Sequence, residues 1–363
     1  MKNVRNSNIE LLRIISIIII VFSHYSVHGV GLTINNLDIG CNRFILELLT
    51  LGNLGSIIFI LISGYYLVKS KEFKLKKILR IIFQVVFYSS IIYLVLLFLN
   101  IEVFSFKNLI YSLFPITFKM YWFATCYIVL YIFHPFINLF LNNISRKNHL
   151  LFIYVMILIF SIMHFFTTKD FYGNELIQFL LFYSIGAYLS KYPKNYLCVN
   201  HNNYKYMIIS ALIIILSIII FDIIGIYINI FASHSIYLLS RTSPFAILLC
   251  VSIFSIFINK KSFSNKYINI VSSLIFGVYL ISDNSFLRPI IWNDIFNITN
   301  YINSNFLIIH IIFTVLLIIL ICLIIEFIRK YIIEKYLFKL LDPIIDKLQR
   351  RVISFINKHL SFN

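Results

Sequence analysis

The chain of 363 residues is 60% hydrophobic and only 12% charged, and its mean hydropathy is +0.91. Soluble domains average about 25% charged residues, so this composition excludes a soluble globular protein and indicates a polytopic membrane protein. The net charge of +17 does not indicate nucleic-acid binding. The basic residues cluster in short segments between apolar runs, as topology signals do.

Apolar runs of about 15 to 25 residues predict ten transmembrane helices. The predicted spans are Ile9–Val27, Phe44–Val68, Ile81–Leu99, Tyr121–Leu141, His149–Phe166, Leu176–Ser190, Tyr206–Ile230, Pro244–Phe257, Tyr267–Phe286 and Asn305–Phe327. With a cytoplasmic N-terminus, most Lys and Arg residues fall in cytoplasmic segments and few fall in outer loops. This asymmetry predicts an all-α fold with both termini in the cytoplasm.

The residues after the tenth predicted span change in character. Apolar side chains from Leu341 to Ile356 recur at helical spacing, with basic side chains between them. We therefore predict a membrane domain over residues 1–328 and a basic amphipathic tail over residues 329–363. An anchor on the inner membrane surface is one role for this tail, and binding to a partner helix is the alternative.

The first predicted span carries three ionisable residues, Glu10, Arg13 and His24. A charge inside a bilayer costs at least a few kcal/mol, so such residues usually mark a functional site. Arg13 and His24 are eleven residues apart, which at about 100° per residue places them on one helix face. At about 1.5 Å per residue, that polar face reaches about 16 Å along the helix axis.

His24 is the leading candidate for a general base, because the unperturbed pKa of histidine lies near neutrality. A hydrogen bond between helices is the structural alternative for this residue. His28 follows one turn later, where it can share or modulate the same proton.

Arg13 has a planar guanidinium that suits the phosphates of a cytoplasmic donor, although it can also simply reach the membrane interface. Glu10 can pair with Arg13 or orient it. Arg80 follows a run of lysines before the third span. It is either a topology signal or a second contact to the donor phosphates.

A second group of polar residues lies at the outer end of the ninth predicted span. Asp283 and Asn284 stand there, followed by Arg288 and Trp292. An acid beside His24 would hold its tautomer and stabilise its protonated form. Alternatively, Asp283 and Asn284 only cap a loop at the membrane interface.

Together these residues resemble the acyltransferase-3 family of integral-membrane acyltransferases, over about residues 5 to 328. The resemblance is carried by Glu10-Leu11-Leu12-Arg13, by Arg13 and His24 with ten residues between them, by Phe59–Tyr65, by Arg80, by Tyr121-Trp122-Phe123 through Pro135, and by Phe276–Ile281. One position departs from the family pattern. Ser282 stands where members often have a histidine, and Asp283 follows it.

The resemblance implies transfer of an acyl group, commonly acetyl, from cytoplasmic acyl-coenzyme A to a carbohydrate hydroxyl. The expected catalytic residues are His24, Glu10 and Asp283, and the expected substrate-binding residues are Arg13, Arg80, Trp122, Asn284 and Arg288. Acyl-coenzyme A would act as a donor substrate, so we expect no tightly bound cofactor. We also expect no metal, because the five cysteines are scattered without metal-ligand spacing.

We expect a stand-alone O-acetyltransferase of a bacterial cell membrane, because the chain ends soon after its tenth predicted span. Its acceptor would be a surface polysaccharide, such as capsule or exopolysaccharide, or a lipid-linked glycan. Membrane lipids are further partners, and a homo-oligomer is left open. A transporter and a glycan polymerase are the alternatives, yet no internal repeat and no sizeable outer loop supports them. A non-catalytic scaffold is a further alternative.

Overall fold

The computed structural model describes residues 5–31, 34, 37–70, 73–163, 175–193 and 202–359, and every regular element within them is helical. The α-helices are α1 (Ser7–His24), α2 (Cys41–Leu49), α3 (Gly52–Leu67), α4 (Leu75–Phe98), α5 (Phe106–Leu113), α6 (Trp122–Asn143), α7 (Arg146–Ile157), α8 (Glu175–Lys191), α9 (Asn202–Gly225), α10 (Asn229–Ala232), α11 (Pro244–Asn259), α12 (Lys266–Ser272), α13 (Ile275–Ser282), α14 (Leu287–Pro289), α15 (Leu307–Ile328) and α16 (Lys335–His359). Wider π-helical turns extend α1 over Tyr25–Val30 and join α15 to α16 over Arg329–Glu334.

The predicted class, an all-α polytopic membrane protein, is confirmed. Within the described residues, eight helical segments are long and apolar enough to cross a membrane, or nine if one bent pair counts as a span. The first helix of that pair, Lys266–Ser282, corresponds to the ninth predicted span, and the chain turns by 92° before the second helix, Leu287–Asn300. The count of ten spans and the cytoplasmic termini stay predictions. Of the predicted tail, side chains beyond Arg351 lie outside the described residues.

Side-chain caps set where several helices begin. The side chain of Asn6 accepts a hydrogen bond from the backbone N–H of Asn8 at the start of α1. Asn265 caps α12 in the same way, and Ser243 caps α11 directly before Pro244. Such residues accept hydrogen bonds from the first free N–H groups of a helix, and proline fits the first helical position.

Helix α1 lies at the centre of the bundle, packed against α3, α11, α12, α13 and α15. Its closest neighbour is α3, which approaches through two glycines. A Cβ atom at Gly55 would lie 2.6 Å from the carbonyl oxygen of Ser16, and one at Gly52 would lie 2.4 Å from Cβ of Ser23. The two backbones therefore touch, as small residues allow in membrane helices.

Helices α3 and α8 touch through a reciprocal pair of glycines. A Cβ atom at Gly64 would lie 2.1 Å from the carbonyl oxygen of Tyr183, and one at Gly186 would lie 2.2 Å from that of Leu61. Each glycine thus faces the backbone of the opposite helix. Any side chain at either position would have to push the helices apart.

A buried ion cluster joins α2 to α9. Arg43 Nε lies 2.9 Å from Glu47 Oε1 and 3.3 Å from Asp222 Oδ1, and the Ser235 hydroxyl donates to Glu47 Oε1. The second predicted span begins at Phe44, whereas α2 already includes Arg43 and buries its side chain. The guanidinium is stable there because two carboxylates on two helices surround it.

A second buried cluster joins α15 to α4. Arg329 Nε donates to Glu326 Oε2 at 2.7 Å, and the Tyr88 hydroxyl donates to the same carboxylate at 2.6 Å. Gln84 donates to Glu326 Oε1 at 3.0 Å. Arg329, the first residue of the predicted tail, is thereby buried at the end of the last span.

Replacing Gly64 with alanine tests the α3–α8 contact. We expect Gly64→Ala to lower the free energy of unfolding by about 1–3 kcal/mol, because the new methyl group meets backbone atoms that cannot rotate away. Thermal unfolding of the purified protein in detergent measures this loss. Gly40→Ala is the control, since its Cβ atom would meet only the Asp38 carbonyl oxygen, at 3.9 Å. Equal unfolding temperatures for the two variants would contradict the contact.

Candidate active site

A cavity of about 890 Å³ runs along α1. Arg13 lines it near the N-terminal end of α1, and His24 and His28 line it at the other end. Apolar side chains such as Ile20 and Phe276 line the region between. The cavity therefore joins two polar ends through an apolar middle section, and α1 supplies residues to both ends.

His24 is buried at the last turn of α1, where the backbone continues into the π-helical turn. Such wide turns are frequent at functional sites. His28 lies within that turn, and the centroids of the two imidazole rings are 5.0 Å apart. The Ser282 hydroxyl lies 3.4 Å from Nδ1 of His24, so this serine touches the candidate base.

Asp283 is the common partner of the residues around His24. Its Oδ1 atom lies 3.1 Å from His28 Nε2 and 3.4 Å from Arg288 Nη1. The same oxygen lies 3.9 Å from His24 Nε2. Asp283 stands at the bend that follows α13, and this bend directs its carboxylate back toward α1. A buried carboxylate requires such partners.

Glu10 and Arg13 form a separate pair at the N-terminal end of α1. Arg13 Nη1 lies 3.3 Å from Glu10 Oε2, and the Ser272 hydroxyl donates to the same carboxylate. Arg13 lines the cavity and its side chain is 33% exposed, whereas Glu10 does not line it. Glu10 lies about 21 Å from His24 along the axis, so it orients Arg13 and does not reach the histidine cluster.

Trp122 and Arg288 line the cavity, as the substrate-binding prediction requires. The guanidinium carbon of Arg241 lies 4.1 Å from the centroid of a Trp122 ring, a cation–π contact that covers one face of the indole. Arg288 lies at the His24 end, with Nη1 3.3 Å from His28 Nε2.

Asn284 does not line the cavity and instead shapes the bend beside it. Its side-chain amide donates to the Tyr121 hydroxyl at 2.7 Å, and its Oδ1 accepts from the backbone N–H groups of Phe286 and Leu287. These bonds hold the turn that presents Asp283. Asn284 therefore positions the acid, and contact with a substrate stays a prediction.

Arg80 also lies outside the cavity lining. Its Nη2 atom lies 3.3 Å from Asp342 Oδ2, and its guanidinium carbon lies 4.9 Å from the Phe338 ring centroid, both on α16. The predicted phosphate contact of Arg80 would require the side chain to leave α16, so that role stays a prediction.

Several residues that line the cavity are not among the predicted site residues, because no motif in the sequence marks them. Ser233, His234 and Tyr237 reach the cavity from the connection between α9 and α11. Lys77 reaches it from α4. Only the packing of distant helices brings these residues to α1. His28 had been a secondary candidate, and its short distance to Asp283 makes it part of the site.

The cluster of His24, His28 and Asp283 offers three donor atoms within 4.8 Å of one another, which is a metal-like arrangement. Arg288 Nη1 lies within 3.4 Å of both His28 Nε2 and Asp283 Oδ1. The guanidinium thus already supplies a positive charge beside two of the three donors. The geometry favours a hydrogen-bonded charge network at this site.

The family model of the acyltransferase-3 group, described as an acyltransferase domain, matches residues 6–327. The chain therefore belongs to the acyltransferase-3 family and is a multi-pass membrane acyltransferase. Searches of curated proteins and of solved structures gave no significant match. The family resemblance drawn from the motifs on α1, α3, α6 and α13 is confirmed.

Replacing Asp283 with asparagine tests the charge network. We expect Asp283→Asn to lower acyl transfer at least about 100-fold, because the imidazole cluster loses the one carboxylate that the described residues place in the cavity lining. A radiolabelled acyl-transfer assay on purified protein measures this loss. Asp294→Asn, at an exposed position of the same segment, should retain wild-type activity. Equal activity of the two variants would exclude Asp283 from the reaction.

Proposed function

We propose that the protein transfers an acetyl group from cytoplasmic acetyl-coenzyme A to a hydroxyl of a surface or exported polysaccharide, or of its lipid-linked precursor. It would act in a bacterial plasma membrane, on glycans such as capsule or exopolysaccharide. One observation carries this proposal. A single cavity connects a guanidinium at one end of α1 with a histidine–carboxylate cluster at the other.

The Arg13 end suits the phosphates of the donor. Arg13 is held by Glu10 and leaves part of its guanidinium open to the cavity. Lys77 adds a second cation to the same lining. Guanidinium groups bind phosphate through paired N–H donors, so this end can hold the nucleotide portion of acyl-coenzyme A. The apolar middle section suits the pantetheine arm, which would carry the thioester toward His24.

The His24 end suits proton transfer. His24 takes the proton of the acceptor hydroxyl while the oxygen attacks the thioester carbonyl carbon. A C–O bond forms, and the resulting tetrahedral intermediate collapses with loss of the C–S bond. The imidazolium then returns its proton to the departing thiolate, which leaves as coenzyme A. The products are the O-acetylated glycan and the free thiol, and no other reactant is consumed.

The neighbouring charges assist this proton transfer. Asp283 stabilises the imidazolium that forms on His24, across 3.9 Å in the free enzyme. His28 holds the other side of the network, because it bonds the same carboxylate oxygen and contacts Arg288. Arg288 restrains the carboxylate and would donate to the developing oxyanion.

The lining near Trp122 suits a sugar. Trp122 and Tyr237 present aromatic surface, and Ser233 and Ser240 present hydroxyl groups. Binding sites of this kind combine apolar rings with a few polar groups that fix orientation. We assign this lining to the acceptor, because the donor would occupy the Arg13 end.

Replacing His24 with glutamine tests the proposed base. We expect His24→Gln to lower acetyl transfer at least about 100-fold, because glutamine cannot accept and return the proton. Proton NMR of surface polysaccharide measures the result in cells that lack the gene and carry a wild-type or variant copy. Acetyl signals should return with wild type and stay absent with His24→Gln.

His149→Gln is the matched control for this substitution. His149 is a buried histidine of α7 whose Nε2 donates to the Ser184 carbonyl oxygen at 3.1 Å, and it does not line the cavity. It should restore acetylation at normal protein level. Unchanged acetylation in the deletion strain, with altered polymer length or amount, would instead indicate a polymerase or a transporter.

Replacing Arg13 with alanine tests the donor end. We expect Arg13→Ala to raise the KM for acetyl-coenzyme A by about tenfold, because charge-assisted bonds to phosphate are lost. The KM for the acceptor should stay unchanged. Arg146→Ala, an exposed arginine at the start of α7, is the control. A change confined to the acceptor KM would show that Arg13 contacts the acceptor and does not bind the donor.

A further inference from the structure

A second recess, of about 600 Å³, adjoins the N-terminal end of α1. Its lining includes Arg5, Lys266 and Lys330, together with Ser264, Asn269 and Ser273. Among the described residues, this lining contains three cations and no Asp or Glu. Like charges gathered in one recess repel each other unless an anion joins them.

The acids on the helical segment of Lys330 are already engaged. Glu326 and Glu334 lie on the same helical segment as Lys330, and both accept hydrogen bonds from Arg329. Within the described part of the chain, neither Arg5 nor Lys266 forms an ion pair. The recess therefore keeps a positive potential that suits an anion.

Hydrogen bonds fix the walls of the recess. Lys330 Nζ donates to the Ser273 carbonyl oxygen at 2.8 Å, which holds its ammonium group in place. The Ser7 hydroxyl accepts from the backbone N–H of Asn265 at 2.7 Å and donates to Asn269 Oδ1 at 3.0 Å. These bonds tie the start of α12 to the start of α1.

Arg5 lines both the recess and the main cavity. The recess is thus adjacent to the cavity end that holds Arg13. A ligand with phosphates at one end and a long arm at the other could occupy both spaces at once. Coenzyme A has this shape, because it carries a phosphate on its ribose and a diphosphate before the pantetheine arm.

We propose that the recess binds the nucleotide end of the donor, with the ribose 3′-phosphate between Lys266 and Lys330. The diphosphate then lies between Arg5 and Arg13, and the pantetheine arm enters the cavity toward His24. This inference rests on the proposed function, since it extends the binding site of the same donor. A phosphate of an anionic lipid headgroup is the other source of the same chemistry.

The test compares coenzyme A with 3′-dephospho-coenzyme A in an equilibrium binding assay with the purified protein in nanodiscs. Wild type should bind coenzyme A about tenfold more tightly, because charge-assisted contacts to the 3′-phosphate are worth about 1.4 kcal/mol or more. Lys266→Gln combined with Lys330→Gln should bind both compounds with nearly equal affinity. Lys147→Gln combined with Lys205→Gln, at exposed positions outside both cavities, should keep the wild-type preference.

The outcomes separate this inference from the proposed function. If wild type binds coenzyme A and the recess variant keeps the full preference, the recess inference is wrong and the proposed function stands. If wild type binds neither compound, the proposed donor itself is wrong. If phosphatidylglycerol in the nanodisc raises the unfolding temperature of wild type but not of the recess variant, while the coenzyme A preference is unchanged, the recess holds lipid.

Discussion

A charge that lies among apolar helices must have a partner, and this requirement organises the bundle. Asp283 is shared by two histidines and an arginine, and Arg43 and Glu326 stand in similar buried clusters. Each cluster joins helices that are distant along the chain. Losing one member would leave the others as unpaired buried charges, which is far more costly than losing a surface ion pair. These clusters therefore fix which helices are neighbours.

Helix α1 combines this electrostatic role with close packing. Its contact with α3 is a contact between backbones, made possible by Gly52 and Gly55. A helix held in this way keeps a constant distance between its two polar ends. The cavity follows the same helix, so the separation between Arg13 and His24 is set by helix geometry, at about 16 Å. If a donor binds at both ends, this rigid helix would hold its two ends at a fixed separation.

The proposed function would divide one reaction between two environments. Basic residues gather near the N-terminal end of α1, around two adjoining cavities, where the donor phosphates would bind. At the opposite end a buried carboxylate organises two imidazoles, which would carry out the proton transfer. Apolar side chains such as Ile20 and Phe276 line the section between them, along which the proposed acyl donor would extend.

Much of this protein was determined by sequence alone. The apolar runs determined the membrane class, because a bilayer requires long apolar helices, and the spacing of Arg13 and His24 determined a shared helix face. Only the tertiary structure decided that His28 contacts Asp283 and that Arg80 pairs with Asp342. It also decided that Lys266 and Lys330 share a recess with Arg5. Periodicity describes one helix at a time, whereas these contacts depend on the bend after Ser282 and on glycine-mediated packing between distant helices.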